Sequence, residues 1–175
     1  LRSAIGALLS VKKTFNFRAK MAIYNGLFDS YLNYAFLIWG DKLSKTNLSE
    51  FQILQKKALR IIFNARFNSH TNEMFALSGI TPIENMYQKN ALIFMKKTQL
   101  DKQPKVFKDI IDFSSDSRLR SNTANKIHLS KNLKKGNIIY NFYKAWNDCD
   151  QKFRSSRNEY HLKDLLKNDM IEMMS

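Results

Sequence analysis

Residues 47–65 read Asn47-Leu48-Ser49-Glu50-Phe51-Gln52-Ile53-Leu54-Gln55-Lys56-Lys57-Ala58-Leu59-Arg60-Ile61-Ile62-Phe63-Asn64-Ala65, and this stretch decides the fold class. Leu48, Phe51, Leu54, Ala58, Ile61, Ile62 and Ala65 recur at the three- and four-residue steps of one helix face. Asn47 is placed to cap the first turn, with Glu50 three residues on to return a hydrogen bond. Gln52, Lys56 and Arg60 lie four apart on another face, with Lys57 beside them. A long amphipathic helix with a basic outer side is the reading.

The same grammar extends in both directions. Downstream, a short helix over about 72–78 ends at Gly79. Thr81-Pro82-Ile83-Glu84 then supplies an N-cap, a proline at the first helical position and an acid at the third. That helix should run to about Leu100, burying Ile83, Met86, Tyr87, Ala91 and Phe94 and carrying Lys89, Lys96 and Lys97. Pro104 opens another helix to about Ile111. Upstream, Ala19, Ala22, Ile23, Gly26, Leu27, Ser30, Tyr31, Tyr34 and Ile38 give segment 17–38 the stripe of a core-facing helix. Trp39-Gly40 closes it, Gly40 being suited to a left-handed terminal residue. After Phe113 the pattern loosens. Ile127 and Leu129 alternate with polar neighbours, so 125–130 is read as a short strand. Helices resume at about 138–153, with Ile139, Phe142, Tyr143 and Trp146, and at about 159–172, with Leu162, Leu165, Leu166 and Met170. The expected fold is therefore mainly all-α, a helical bundle over 1–113, a polar basic segment over 114–137 and a helical extension over 138–175.

Composition agrees. Five Gly and two Pro in 175 residues are too few turn residues for a barrel or sandwich of short strands. A hydrophobic content of 44% is enough to bury a core, which argues against wholesale disorder. The longest apolar runs, Ala35–Trp39 and Ala91–Met95, are far short of the roughly 20 residues of a spanning helix. The start, Leu1-Arg2-Ser3-Ala4, has neither an initiator Met nor the layout of a signal peptide, and reads as the start of a piece of something longer. The single cysteine, Cys149, excludes an internal disulfide and a Cys-based zinc site.

Chemistry is scarce. His70, His128 and His161 stand far apart with no second ligand at metal spacing. There is no Gly-x-Ser-x-Gly elbow, no glycine-rich phosphate loop and no Asp-Asp pair. Cys149 lies between Asp148 and Asp150, which push a thiol pKa up rather than down. No catalytic residue and no metal ligand can be named. What stands out is charge: 29 Lys and Arg against 15 Asp and Glu, a formal net charge of +14. Residues 1–110 hold +10 of it, from 17 basic and 7 acidic residues. Such an excess repels itself unless a polyanion covers it. Lys56, Lys57 and Arg60 are the first candidates for contacts to nucleic acid, followed by Lys12, Lys13, Arg18 and Lys20. Arg118 and Arg120 belong to a further basic group with Lys126, Lys131, Lys134 and Lys135. Contacts to six to ten phosphates would make affinity fall by about 10³–10⁵ between low and moderate salt. A membrane surface is the rival polyanion, but the charge is spread over several helices rather than set opposite one exposed apolar face.

In order along the chain, five blocks resemble the segment that follows the palm in LINE-type, jockey-like non-LTR retrotransposon reverse transcriptases. They are Tyr24 with Tyr31-Leu32-Asn33-Tyr34 and Trp39-Gly40; Leu54-Gln55-Lys56-Lys57-Ala58-Leu59-Arg60-Ile61-Ile62; Leu77-Ser78-Gly79-Ile80-Thr81-Pro82-Ile83-Glu84; Arg120-Ser121 with Tyr140 to Trp146-Asn147; and Leu162-Lys163-Asp164-Leu165-Leu166-Lys167. The chain departs from that pattern at Ala35, where a Cys or similar small residue is usual, and at Asp148-Cys149, where Leu-Pro is usual. The zinc knuckle that ends some relatives is excluded within this segment.

The resemblance implies a helical thumb and a C-terminal extension of an RNA-directed DNA polymerase. On that reading the segment is non-catalytic and needs no cofactor, the magnesium ions belonging to the palm. Its partners are a template–primer hybrid of RNA and DNA and the palm and fingers of the same polyprotein, with no membrane. The setting is nuclear or cytoplasmic, nuclear by family resemblance. The grip would use Lys, Arg and Asn on phosphates and sugars. For Trp39, Tyr34, Trp146 and Tyr140 the reading is core packing, with base stacking as the alternative. The alternative is a stand-alone helical protein-interaction domain derived from a decayed or domesticated element.

Overall fold

The computed structural model describes residues 1–34, 36–111, 113, 127 and 137–174. The chain is mostly helical, an all-α fold. No strand occurs among the described residues. The expected strand at 125–130 falls outside them apart from Ile127, and so do Arg118, Arg120 and nearly all of 114–137.

Packing divides the chain into two units, Leu1–Tyr87 with Met170–Ser175, and Gln88–Asp169. The first begins with α1 (Arg2–Ser10) and α2 (Phe17–Ile23). Asn16 starts α2, its side chain accepting from the Ala19 N–H at 2.9 Å. A π-helical segment, Tyr24–Asp29, leads into α3 (Ser30–Asn33). Tyr34 is extended, and α4 (Phe36–Trp39) and a 3₁₀ turn, Gly40–Lys42, follow. Then come α5 (Lys45–Ile62), α6 (Asn72–Ser78) and α7 (Ile83–Gln99).

Segment 17–38 is therefore not one regular helix, and its buried face is not the expected one. Lys20, Tyr24, Phe28, Leu32 and Phe36 are buried, while Leu27, Tyr31, Tyr34 and Ile38 are exposed. The buried residues are four apart. In an α-helix of 3.6 residues per turn a step of four drifts by about 40°. The wider π turn absorbs that drift and keeps Lys20, Tyr24, Phe28 and Leu32 on one side, while Phe36 follows the extended Tyr34 and belongs to α4. Gly40 also serves another purpose than a left-handed one. A Cβ there would meet the Phe36 ring at 2.8 Å, so the missing side chain lets the ring pack against the backbone. Gly79 does take the left-handed conformation, φ 68°, and ends α6 as the sequence indicates.

The central helix α5 starts two residues before Asn47. Ser44 is its cap, accepting from the Asn47 N–H at 3.1 Å, so Asn47 is the recipient of the cap rather than the cap itself. Its core face is Ala58, Leu59, Ile61 and Ile62, with Leu48, Phe51 and Leu54 partly covered. α1 and α2 pack against it. At its end Phe63 is followed by Asn64 at φ 54°, and the Ala65 N–H donates back to Arg60 O at 2.8 Å. This is a Schellman-type ending with Asn in the left-handed position.

The second unit takes in α7 from Gln88 onward, with α8 (Lys105–Ile110), α9 (Ile138–Asp148), α10 (Gln151–Arg154) and most of α11 (Glu159–Met174). Phe94 packs against Phe107 and Phe142, with ring centroids 5.1 and 5.0 Å away. Trp146 is fully buried, and Tyr143 Oη donates to Ile110 O at 3.2 Å. The Asn147 amide brackets the backbone of Ile127, accepting from its N–H at 2.9 Å and donating to its C=O at 2.8 Å. Among the described residues, no helix is long and apolar enough to cross a membrane.

Candidate nucleic-acid interface

The basic residues named from sequence divide into three groups by placement. Lys56 and Lys57 are exposed on the outer side of α5, and Arg60 is half-buried beside them. The Arg60 Nε donates to Ser69 O at 2.9 Å, which ties the guanidinium to the turn after α5. Lys13 is exposed and Lys12 half-buried on the turn between α1 and α2, and Arg18 is exposed in the first turn of α2. That turn docks against the end of α5. The Phe17 ring meets Phe63 edge-on at 5.1 Å, and Lys20 reaches across to Asn64. Arg66, Phe67 and Asn68 follow on the same post-α5 turn and are exposed.

Lys20 departs from the expected exposed cation. It is 1% exposed, and its Nζ donates to Asn64 Oδ1 at 3.0 Å and to Ile61 O at 3.5 Å. It lies against the last turn of α5, where carbonyls are free and the helix dipole favours a cation. Burial lowers its pKa, and the neighbouring Lys12 adds to the effect. An ammonium held this way caps the helix and is not presented to a ligand.

Lys96 departs similarly. It is buried, its pKa lowered by burial, and it donates to Gln99 Oε1 at 2.9 Å and Arg154 O at 3.2 Å. Arg154, also buried, turns its Nη1 onto the carbonyls of Trp146, Asn147 and Cys149, the open end of α9. Three cations are thus engaged by neutral oxygens inside the protein. Their partners are backbone and amide groups, which leave no trace in charge patterning.

Charge is one-sided in the first unit. No Asp or Glu occurs in 1–28 or in 51–72, while those spans carry Arg2, Lys12, Lys13, Arg18, Lys20, Lys56, Lys57, Arg60 and Arg66. The α1–α2 turn and α5 from Phe51 onward therefore carry no acid of their own, while the exposed Glu50 and Glu84, which accepts from Gln52, lie toward the N-terminal half of α5.

Sequence pattern does not single out the central polar element. Gln55 is buried on the inner side of α5. Its Nε2 donates to Tyr24 Oη at 3.1 Å and Thr81 O at 2.9 Å, and its Oε1 accepts from the Ile83 N–H at 3.0 Å. Every donor of the amide is used, and one of the free N–H groups at the start of α7 is satisfied. Glu84, expected to reciprocate the cap, accepts from Gln52 Nε2 at 2.6 Å. Burial raises the Tyr24 pKa, so the phenol stays neutral at the centre of this network.

The aromatic residues also sort unevenly. Trp146 is in the core, and Trp39 is half-buried against Phe36 with its Nε1 donating to Tyr34 O at 2.8 Å. Tyr34, expected in the core, is 80% exposed. Among the described residues no three His, Cys, Asp or Glu side chains gather as a metal site, and His70 and His161 are exposed. Compared with models of protein families, with curated proteins and with solved structures, the chain matches none.

Proposed function

We propose that this chain is a non-catalytic nucleic-acid-gripping segment of a retrotransposon RNA-directed DNA polymerase, holding a template–primer duplex through its backbone. The observation that carries the grip is the set of exposed cations, with no acid between them in the sequence, on the α1–α2 turn and on α5 from Phe51 onward. Lys13, Arg18, Lys56, Lys57 and Arg66 are exposed there, with Lys12 half-buried, on α5, the start of α2 and the turns beside them. Their chemistry suits phosphates and sugars rather than base edges. Lys20 does not join them, because its ammonium is engaged inside. The polymerase assignment rests on the five ordered sequence blocks. On this reading the metal chemistry belongs to the palm, the partners are hybrid nucleic acid and the rest of the polyprotein, and the setting is nuclear.

The test is a titration of the 175-residue chain against a blunt RNA–DNA hybrid across a salt series. Affinity should fall steeply with salt. Replacing Lys56 and Lys57 with Gln should reduce the salt slope by about one for each phosphate that those lysines neutralise. A salt-independent affinity, or no binding, refutes the reading.

The exposed row Leu27, Tyr31, Tyr34 and Ile38 favours a second reading, a helical domain that docks onto protein. Binding to an acidic protein without binding to nucleic acid would establish it.

A further inference from the structure

Three phenylalanines stand in the cationic surface instead of in the core. Phe67 is 85% exposed, and Phe15 and Phe17 are 45% and 43% exposed. Each has a cation within two residues: Lys13 before Phe15, Arg18 after Phe17, and Arg66 before Phe67. The two turns that carry them lie side by side, joined by the Phe17–Phe63 ring contact and the Lys20–Asn64 hydrogen bond. One exposed apolar residue needs no explanation. Three rings on adjoining turns, interleaved with cations and free of acids, form a surface of mixed character.

The interior of a paired duplex gives such rings no free π-face, because its bases are already stacked on one another. An unpaired strand offers both features in alternation, a phosphate for each cation and a flat π-face for each ring. We propose that the turns 11–18 and 63–69 form a stacking platform for an unpaired nucleic-acid strand next to the gripped duplex, with Phe67 as its principal ring. This rests on the nucleic-acid reading above and adds to it the strandedness of the ligand at this end of α5. Arg66 and Lys13 hold the phosphates on either side. The exposed Asn68 amide is placed to meet a base edge.

The experiment compares a blunt RNA–DNA hybrid with the same hybrid carrying a single-stranded extension, by fluorescence anisotropy at fixed salt. The wild-type chain should bind the extended substrate more tightly. Phe67→Ala should lose about fivefold to a hundredfold on the extended substrate and be unchanged on the blunt one. Because Phe67 is exposed, circular dichroism and the melting temperature should not move. Phe67→Trp should restore the preference, and Phe67→Leu, apolar but without a π-face, should not. Equal binding of both substrates by the wild type, or an equal loss on both from Phe67→Ala, overturns the platform while leaving the duplex grip standing. Rescue by Leu, or a tighter binding to vesicles of anionic phospholipid than to the extended hybrid, also overturns it, since the rings would then serve as apolar wedges. Absence of binding to either nucleic acid removes the grip and the platform together.

Discussion

Gln55 is the residue on which the first unit converges. One amide joins the phenol of the π segment, the carbonyl before Pro82 and the first N–H of α7. Replacing it with Leu keeps the volume but leaves three buried polar groups without that partner. Such losses cost about 1–3 kcal/mol each at most and are not additive. Gln55→Leu should lower stability by roughly 2–4 kcal/mol, seen as a lower urea midpoint with an unchanged m-value. Cys149 gives a second test at this scale. Burial pushes its thiol up to about 11 from an ordinary 9.0, against the pull of Arg154. A pKa raised by folding contributes stability that is complete below pH 9.0 and is lost as pH rises through about 11. The loss is roughly 2–3 kcal/mol by linkage. Cys149→Ala should be less stable than the wild type at pH 7, and in urea unfolding the gap should close between pH 9.0 and about 11. For Cys149 the sequence indicates the direction of the shift, but burial is its largest cause and Asp150 adds a smaller push, while Gln55 does not announce its role at all. Gln55 sits among Lys56, Lys57 and Gln52 and reads as surface, because its partners are backbone groups that residue types do not reveal.

At the scale of elements the sequence is informative where local chemistry sets the outcome. α6 with Gly79 and the start of α7 after Pro82 follow from glycine, proline and periodicity, and the structure has them within a residue, whereas α5 is present but is capped by Ser44 instead of Asn47 and ends at Ile62, short of Ala65. It misleads where tertiary packing overrides local pattern. In 17–38 the small and aromatic residues at three- and four-residue steps suggest one buried face. The larger volumes of Tyr24, Phe28, Leu32 and Phe36, all in step, take the core instead. Lys20 heads that row, and its charge makes it look like surface until the open end of α5 is placed beside it. The same packing gives Gly40 its purpose. Gly40→Ala would drive a methyl into the Phe36 ring at 2.8 Å. Overpacking of this kind costs about 1–3 kcal/mol, and the melting temperature of the variant should fall accordingly. The shift should be accompanied by altered near-ultraviolet dichroism, because Trp39 meets Phe36 edge-on with ring centroids 4.7 Å apart.

Across the whole molecule, the formal charge of +14 overstates what solvent sees. Lys20, Lys96 and Arg154 are interior groups that fasten helix ends and neighbouring turns. The remaining excess still opposes compaction, most of all along 1–28 and 51–72, which contain no acid. A polyanion that binds only the folded form stabilises it by about 2.7 kcal/mol at a hundred times its dissociation constant. For a chain of this size that is a rise of about 5–10 °C in the melting temperature. RNA–DNA hybrid should produce that rise at low salt, and a salt concentration of roughly 0.5 M should abolish it. A melting temperature that hybrid leaves unmoved at low salt would contradict the electrostatic account. The π turn has one more implication, for ancestry and alignment. A π turn holds one residue more than the α turn it replaces, so removing a single residue between Tyr24 and Asp29 would restore an ordinary turn and leave Leu32 in its core position. The same deletion placed just after Asp29 would keep the π turn and hand the position of Leu32 to Asn33. A one-residue gap in this stretch should therefore be tolerated inside the π turn and costly just beyond it.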